Sequence, residues 1–270
     1  MGDGVMRPII GMIVLAMVVG SVPAGEIKIA WHGQSMFLIV TPKGTRVVID
    51  PHNLEAYRIS PMKADLVLLS HFHTDHTKVE VIENIKEAKQ FNALKKSGPG
   101  DAVVEFNSVD EKIGDVQIQS VGSYHDQMGG LQRGKNGIWI LEIEGTRIVH
   151  LGDLGHELNR TQLKKIGQVD VLLVPVGGVY TLNGIEAFKV VEQIKPRRYI
   201  VPMHFGTIVY SDLLPINYFQ DEMKEAGYPI LRLKPREWLT IDTAAPLPKQ
   251  PSMAILDYSG PPIELKPKAK

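Results

Sequence analysis

The stretch Ser70-His71-Phe72-His73-Thr74-Asp75-His76 carries four side chains of the kinds that hold metal ions, close enough in sequence to act together. It leaves an apolar segment read as a strand, Leu66–Ser70, and enters a predicted helix, so its backbone passes from extended to helical. Residues two apart in an extended chain project to the same side, so His71 and His73 can grip one ion. Asp75 and His76 then fall at the helix start and face a second position nearby. Imidazole nitrogen and carboxylate oxygen are donors that zinc, manganese or iron accept. With nine histidines in 270 residues, such a run arises by accident in roughly 0.05% of chains of this composition. Three more ligand-type residues close apolar, β-rich runs: His125 after Val121-Gly122-Ser123-Tyr124, Asp153 after Ile148-Val149-His150-Leu151-Gly152, and His204 after Ile200-Val201-Pro202-Met203. Strand ends are where a rigid scaffold presents reactive groups.

The elements that must position these groups change character along the chain. Ile27–Trp31, Met36–Thr41 and Thr45–Ile49 read as consecutive strands, followed by the buried strand at Leu66–Ser70. Lys78 to about Lys96 reads as a charged helix, with Val79, Ile82 and Ile85 at helical spacing and a stop at Ser97-Gly98-Pro99-Gly100. Ala102–Phe106, Val116–Val121, Ile138–Ile143 and Arg147–Leu151 are short and β-branched. Strand and helix then alternate: Val169–Pro175, helix Ile185–Ile194, Tyr199–Met203, helix Asn217–Ala226, and the closing strands Leu231–Leu233 and Trp238–Ile241. Strands first and α/β units later predict an α/β fold of two sheets with helices outside, a four-layer αββα sandwich spanning residues 25–243.

Composition narrows the possible functions. The 30 basic and 30 acidic side chains give no net field to draw in nucleic acid. Without cysteine there are no disulfides, thiolate nucleophiles or iron–sulfur clusters, and any metal must be bound through nitrogen and oxygen. Arg7, the apolar run Pro8–Val22 and Val22-Pro23-Ala24 read as a signal peptide over residues 1–24. That run is short for the roughly 20 residues of a spanning helix. The expectation is export after cleavage, with an uncleaved membrane anchor as the alternative. From Ala244 to Lys270 the chain is rich in proline and lysine and reads as a loosely packed tail.

The order of Asp50 after Val47-Val48-Ile49, the HxHxDH run at 71–76, then His125, Asp153 and His204, resembles the metallo-β-lactamase superfamily from Ile27 to about Ile241. Gly33-Gln34-Ser35, His150-Leu151-Gly152-Asp153 and Pro202-Met203-His204 are most similar to the small stand-alone branch that includes ascorbate-phosphate lactonase. The resemblance implies two divalent cations, zinc by general frequency and otherwise manganese or iron. His71, His73 and His125 would bind the first, Asp75, His76 and His204 the second, and Asp153 would bridge them. Asp50 and Asp126 would orient the ligands. The implied reaction is hydrolysis of a small ester, lactone or phosphodiester by a water activated between the cations, with Asp75 or a nearby histidine protonating the leaving group. Departures narrow the reading further. The commonest β-lactamase subclass uses a cysteine ligand, absent here, and the flavodiiron branch has an acidic residue where His73 stands. Drug hydrolysis, oxygen reduction and RNA processing are disfavoured.

Of the remaining histidines, His150 reads as a buried, hydrogen-bonded imidazole in an apolar strand, and His32 as structural. His156, three residues past Asp153, is a candidate acid or substrate contact, and His52, after Asp50-Pro51, a candidate substrate contact. Arg133, in the glycine-rich loop Asp126–Gly137, could grip a phosphate or carboxylate, unless that loop is a solvated hairpin. Tyr180, after Gly177-Gly178, is a further rim contact. The competing functional classes are a non-catalytic exported protein that keeps the fold and binds a metal or ligand, and an interaction module at the cell envelope.

Overall fold

The computed structural model describes residues 25–101 and 103–258; the expected signal peptide lies outside them. A six-stranded sheet has the order β15-β1-β2-β3-β4-β5, with β1 Glu26–Trp31, β2 Phe37–Val40, β3 Arg46–Ile49, β4 Leu66–Leu69, β5 Lys89–Asn92 and β15 Leu239–Asp242. An eight-stranded sheet has the order β14-β16-β13-β12-β11-β10-β9-β8. Its members are β8 Asp110–Ile113, β9 Val116–Tyr124, β10 Lys135–Ile143, β11 Thr146–His150, β12 Val171–Pro175, β13 Tyr199–Met203, β14 Ile230–Arg232 and β16 Ser252–Ile255. A hairpin of β6 Leu94–Ser97 and β7 Val103–Phe106 stands apart. The helices are α1 Arg160–Ile166, α2 Gly184–Ile194 and α3 Asn217–Glu225.

Alternation along the strands sorts side chains between layers. Phe37 and Ile39 of β2 enter the core between the sheets, whereas Leu38 of β2 and Val48 of β3 enter a second cluster on the outer face of the smaller sheet. The central parallel strands β12 and β13 are buried along almost their whole length, as sheets covered on both faces require. Ala187, Val190, Val191 and Ile194 form the buried stripe of α2 and join the main core. Asn183 starts that helix with a capping box, accepting from the Glu186 N–H while Glu186 accepts from its own.

Two expectations are corrected. No α-helix spans 78–96: the segment forms a 3₁₀ turn at Val79–Val81, further turns, then β5 and β6. Val81 and Ile82 are buried in the second cluster, and Asn84 ties the turns down by exchanging two hydrogen bonds with the backbone of Ala64. Parallel pairing of Lys89–Asn92 with β4 takes the backbone groups that a helix would have used. Among the described residues, the outer layer on this sheet is therefore built of turns. Nor is the chain beyond Ala244 a loose tail throughout. Ser252–Ile255 enters the larger sheet between β13 and β14, with Met253 and Ala254 fully buried.

The sheets meet tightly below the HxHxDH run. Gly137 of β10 donates its N–H to the Ser70 carbonyl, and a Cβ there would collide with that carbonyl and with Ala93. Gly152, at φ +56°, passes so close to the Asn136 side-chain oxygen that a Cβ would strike it.

Candidate metal centre

The run after β4 is anchored before it reaches its histidines. Asp50 sits at φ +47° just past β3, which turns its carboxylate beneath the end of β4. Its Oδ1 accepts from the Ser70 N–H (2.7 Å) and its Oδ2 from the Ser70 hydroxyl (2.6 Å). The same hydroxyl lies 2.9 Å from His71 Nδ1, and Asp50 Oδ2 lies 3.0 Å from His76 Nδ1. With its own proton on Asp50, the hydroxyl accepts from His71 Nδ1–H, and His76 Nδ1–H donates to the carboxylate. His71 is thereby assigned the tautomer whose Nε2 lone pair faces the site, and His76 would present its Nε2 lone pair in the same way once a cation replaces the Nε2 proton.

Three overlapping groups converge there: His71, His73 and His125; His71, His76 and Asp153; Asp75, His76 and His204, with the ligand atoms of each group within 4.8 Å of one another. Asp153 Oδ2 is the hub. It lies 3.2 Å from Nε2 of His76, His125 and His204, and 4.0 Å from that of His71. His71 Nε2 and His73 Nδ1 are 3.0 Å apart. Asp75 Oδ2 stands 3.5 Å from His76 Nε2 and 4.0 Å from His204 Nε2.

Electrostatics mark the cluster as built for positive charge. Burial opposes ionisation of Asp153, yet the imidazoles of His204 and His76 hold its carboxyl well below the usual range. Burial likewise opposes charge on His76, but Asp153 and Asp50 raise it well above an ordinary histidine. Burial and neighbouring imidazoles hold His71 well below it. Asp75 is pushed down to about 2, because His76 outweighs the effect of its burial. The residues fit a bound cation by a direct observation: His76 Nε2 is buried, has no hydrogen-bond partner and faces two carboxylates.

The other sequence candidates divide. Asp126 does not orient ligands. Its carboxylate accepts from the N–H groups of Met128, Gly130, Gln132 and Arg133 and so folds the 127–133 loop. His156 is no free acid, because its Nε2 accepts from the Tyr124 N–H and its Nδ1 bonds the Glu157 carbonyl. His52 is fully buried, with Nε2 on the carbonyls of His32 and Gly33 and Nδ1 accepting from Leu54 N–H, so it cannot reach a substrate. Burial pushes it, and His32 beside it, down to about 4. His150 is a buried brace, bonded to the Ser35 carbonyl and the Gly152 N–H. Arg133 and Tyr180 are brought together on the surface, the guanidinium 5.3 Å from the ring centroid and 2.9 Å from the Val179 carbonyl.

Some contributors escaped the sequence reading. Asn136 accepts from the Asp153 N–H and donates to the Leu151 carbonyl and Ser123 hydroxyl, pinning the loop that carries the hub. Its position next to Gly137 was the available signal, but an asparagine at a strand start reads as turn chemistry. Tyr210 belongs to the mouth: burial, then Asp212, Asp75 and Tyr180, push its hydroxyl up.

Two packed sheets with a histidine–carboxylate cluster at their strand ends define a metallo-β-lactamase-type protein. Residues 28–204 match the family model described as a beta-lactamase superfamily domain, and the chain belongs to that superfamily and, within it, to the UPF0173 metal-dependent hydrolases. It is 34% identical over 228 residues to a UPF0173 protein of Pyrococcus furiosus, covering 79% of this chain and 100% of the relative. A UPF0173 metal-dependent hydrolase of Thermococcus onnurineus is 31% identical over 194 residues, covering 67% of this chain and 85% of the relative. Among solved structures, a candidate zinc-dependent hydrolase of the metallo-β-lactamase superfamily from Thermotoga maritima superposes with a TM-score of 0.60 at 28% identity, covering 85% of this chain and 98% of that one.

Proposed function

We propose that the protein hydrolyses a small ester, lactone or phosphodiester at a centre for two divalent cations, zinc foremost. The observation that carries this reading is the hub, one buried carboxylate oxygen within 3.2 Å of three imidazole nitrogens contributed by separate segments. His71, His73 and His125 would hold one cation, Asp75, His76 and His204 the other, and Asp153 would serve both. Bound there, the cations would supply an activated water and polarise the scissile carbonyl or phosphoryl oxygen.

The chain's own residues supply the rest. Asp75 is the ligand carboxylate open to the mouth, with a side chain 33% exposed against 3% for Asp153. Ionised, and with Oδ2 turned to His76 and His204, it has Oδ1 to take a proton from water and pass it to the leaving group. His71, His76, His125 and His204 keep bulk water from the floor through their burial. Arg133, stacked on Tyr180, offers an anionic group on the substrate a charged hydrogen-bonding partner.

The test is elemental analysis of the purified protein beside Asp153→Ala, with hydrolysis of bis-p-nitrophenyl phosphate measured on the same samples. The expected result is near two metals per chain with turnover, both reduced in the variant. Protein prepared under metal-replete conditions that retains no metal overturns the reading.

A further inference from the structure

The hub raises a geometric question of its own. A carboxylate has two equivalent oxygens, yet only Oδ2 of Asp153 faces the imidazoles. Its Oδ1 accepts a hydrogen bond from the Ser35 hydroxyl at 3.0 Å, and both residues are buried, at 0% and 2% exposure. Ser35 belongs to the tight turn 33–36 between β1 and β2, in the smaller sheet, whereas Asp153 follows β11 of the larger one. The bond therefore spans the two sheets.

Both ends of that bond are mounted on the same imidazole. His150 Nε2 lies 2.8 Å from the Ser35 carbonyl, and its Nδ1 accepts from the Gly152 N–H at 3.0 Å. The ring is fully buried and meets Phe37 edge-on, with centroids 5.8 Å apart. One histidine outside the ligand cluster thus sets the spacing between the turn that carries Ser35 and the loop that carries Asp153. From the other side Asn136 holds the Asp153 N–H. With the backbone held, the carboxylate can still turn about the Cα–Cβ and Cβ–Cγ bonds, and the Ser35 hydroxyl on Oδ1 restrains both rotations.

We infer that Ser35 is a positioning residue that makes Asp153 a single-oxygen ligand, shared between two cations instead of chelating one. The inference rests on the two-cation reading above. Without the hydroxyl, Oδ1 becomes a buried acceptor with no partner, and turning the carboxylate toward the imidazoles relieves it. The turned carboxylate presents both oxygens to one group of ligands and weakens the other.

The test is a competition titration of zinc against a chromophoric chelator, run on the full chain as wild type, Ser35→Ala, Asp153→Ala and the double variant. Thermal melting of each metal-free protein checks folding. Wild type is expected to take two equivalents, and Ser35→Ala to bind one of them about 10–100-fold more weakly, the range typical of partners that orient metal ligands. In the Asp153→Ala background the same change is expected to alter zinc affinity less than about twofold, because Ser35 acts through the carboxylate. A Ser35→Ala protein that melts and titrates like wild type overturns the inference, as does an equal loss in both backgrounds. If Ser35→Ala melts early, Ser35→Thr keeps the hydroxyl and decides: recovered affinity supports the assignment, and persisting weakness overturns it. Wild type that binds no zinc removes the two-cation reading itself, a result distinct from all of these.

Discussion

On the floor of the site, His71, His76, His125, Asp153 and His204 are at most 2% exposed, and hydrogen bonds from Asp50, Ser70, Ser35 and Asn136 fix how several of them stand. At the rim the pattern reverses. Leu131 is 82% exposed and Ile208 94%, Arg133 rests on Tyr180, and the loop that carries Arg133 is folded by its own Asp126. The floor is determined by how two sheets pack and cannot adapt without disturbing the core. The rim is set by short local contacts, so its side chains can change while the floor stays as it is. Under the proposed function, chemistry would belong to the first region and choice of substrate to the second.

Breaking the floor should have the largest effects. His76→Ala leaves Asp50 and Asp153 as buried anions without their shared partner, and should cost about 3–5 kcal/mol of folding stability in the metal-free protein. Denaturant titration measures this, and a loss below about 1 kcal/mol would contradict the buried network. Acid should act next, through the neutral pair behind the floor. His32 and His52 are held near 4 when folded, below their value of 6.5 when unfolded. The unfolded chain therefore binds more protons across that interval, and stability is lost as pH falls from about 6.5 to 4, by up to about 3 kcal/mol for either ring taken alone. His32→Leu should flatten the slope of melting temperature against pH over that interval, and an unchanged slope would clear His32 of the effect.

Milder changes sharpen the contrast. Asp50→Asn keeps the shape but loses the charge under His71 and His76, and should weaken zinc about 10–100-fold with melting of the metal-free protein less affected. At the rim, Arg133→Ala should raise KM about tenfold for an anionic substrate, leave kcat near wild type, and spare a neutral ester. Equal losses on both substrates would move Arg133 from recognition to architecture. Ile208→Ser should change stability by no more than about 0.5 kcal/mol, as substitutions of exposed residues usually do.

The floor was legible in the sequence because its candidate ligands lie at or just past the ends of apolar runs, and residue type and apolar run are both local signals. The 71–76 run, His125, Asp153 and His204 come together in space, and β1 to β4, β9 to β13 and α2 fall close to where the apolar patterning puts them. The helix expected over 78–96 was misread because Val79, Ile82 and Ile85 share a helical spacing that three successive turns reproduce when they pack on a sheet. β16 was hidden by the prolines around it, since Ser252–Ile255 is too short to announce itself before its neighbours are known. His52 reads as a substrate contact, and His156 as an acid or substrate contact, because a polar residue near a candidate ligand looks the same whether it faces solvent or backbone. Only the hydrogen bonds tell them apart.

The position of β16 bears on how the protein is made. It pairs with β13 on one side and β14 on the other, so β14 joins the larger sheet only through a strand synthesised after both. The ribosome has already added His204, the last of the candidate ligands, when Ser252–Ile255 is still untranslated. Until those four residues emerge, the strand that delivers His204 has an open edge, and the nascent chain has its candidate ligands but not the sheet that holds them still. Zinc supplied during synthesis would meet an unfinished site, and a chain halted before residue 252 should be captured by aggregation or proteolysis rather than matured by metal.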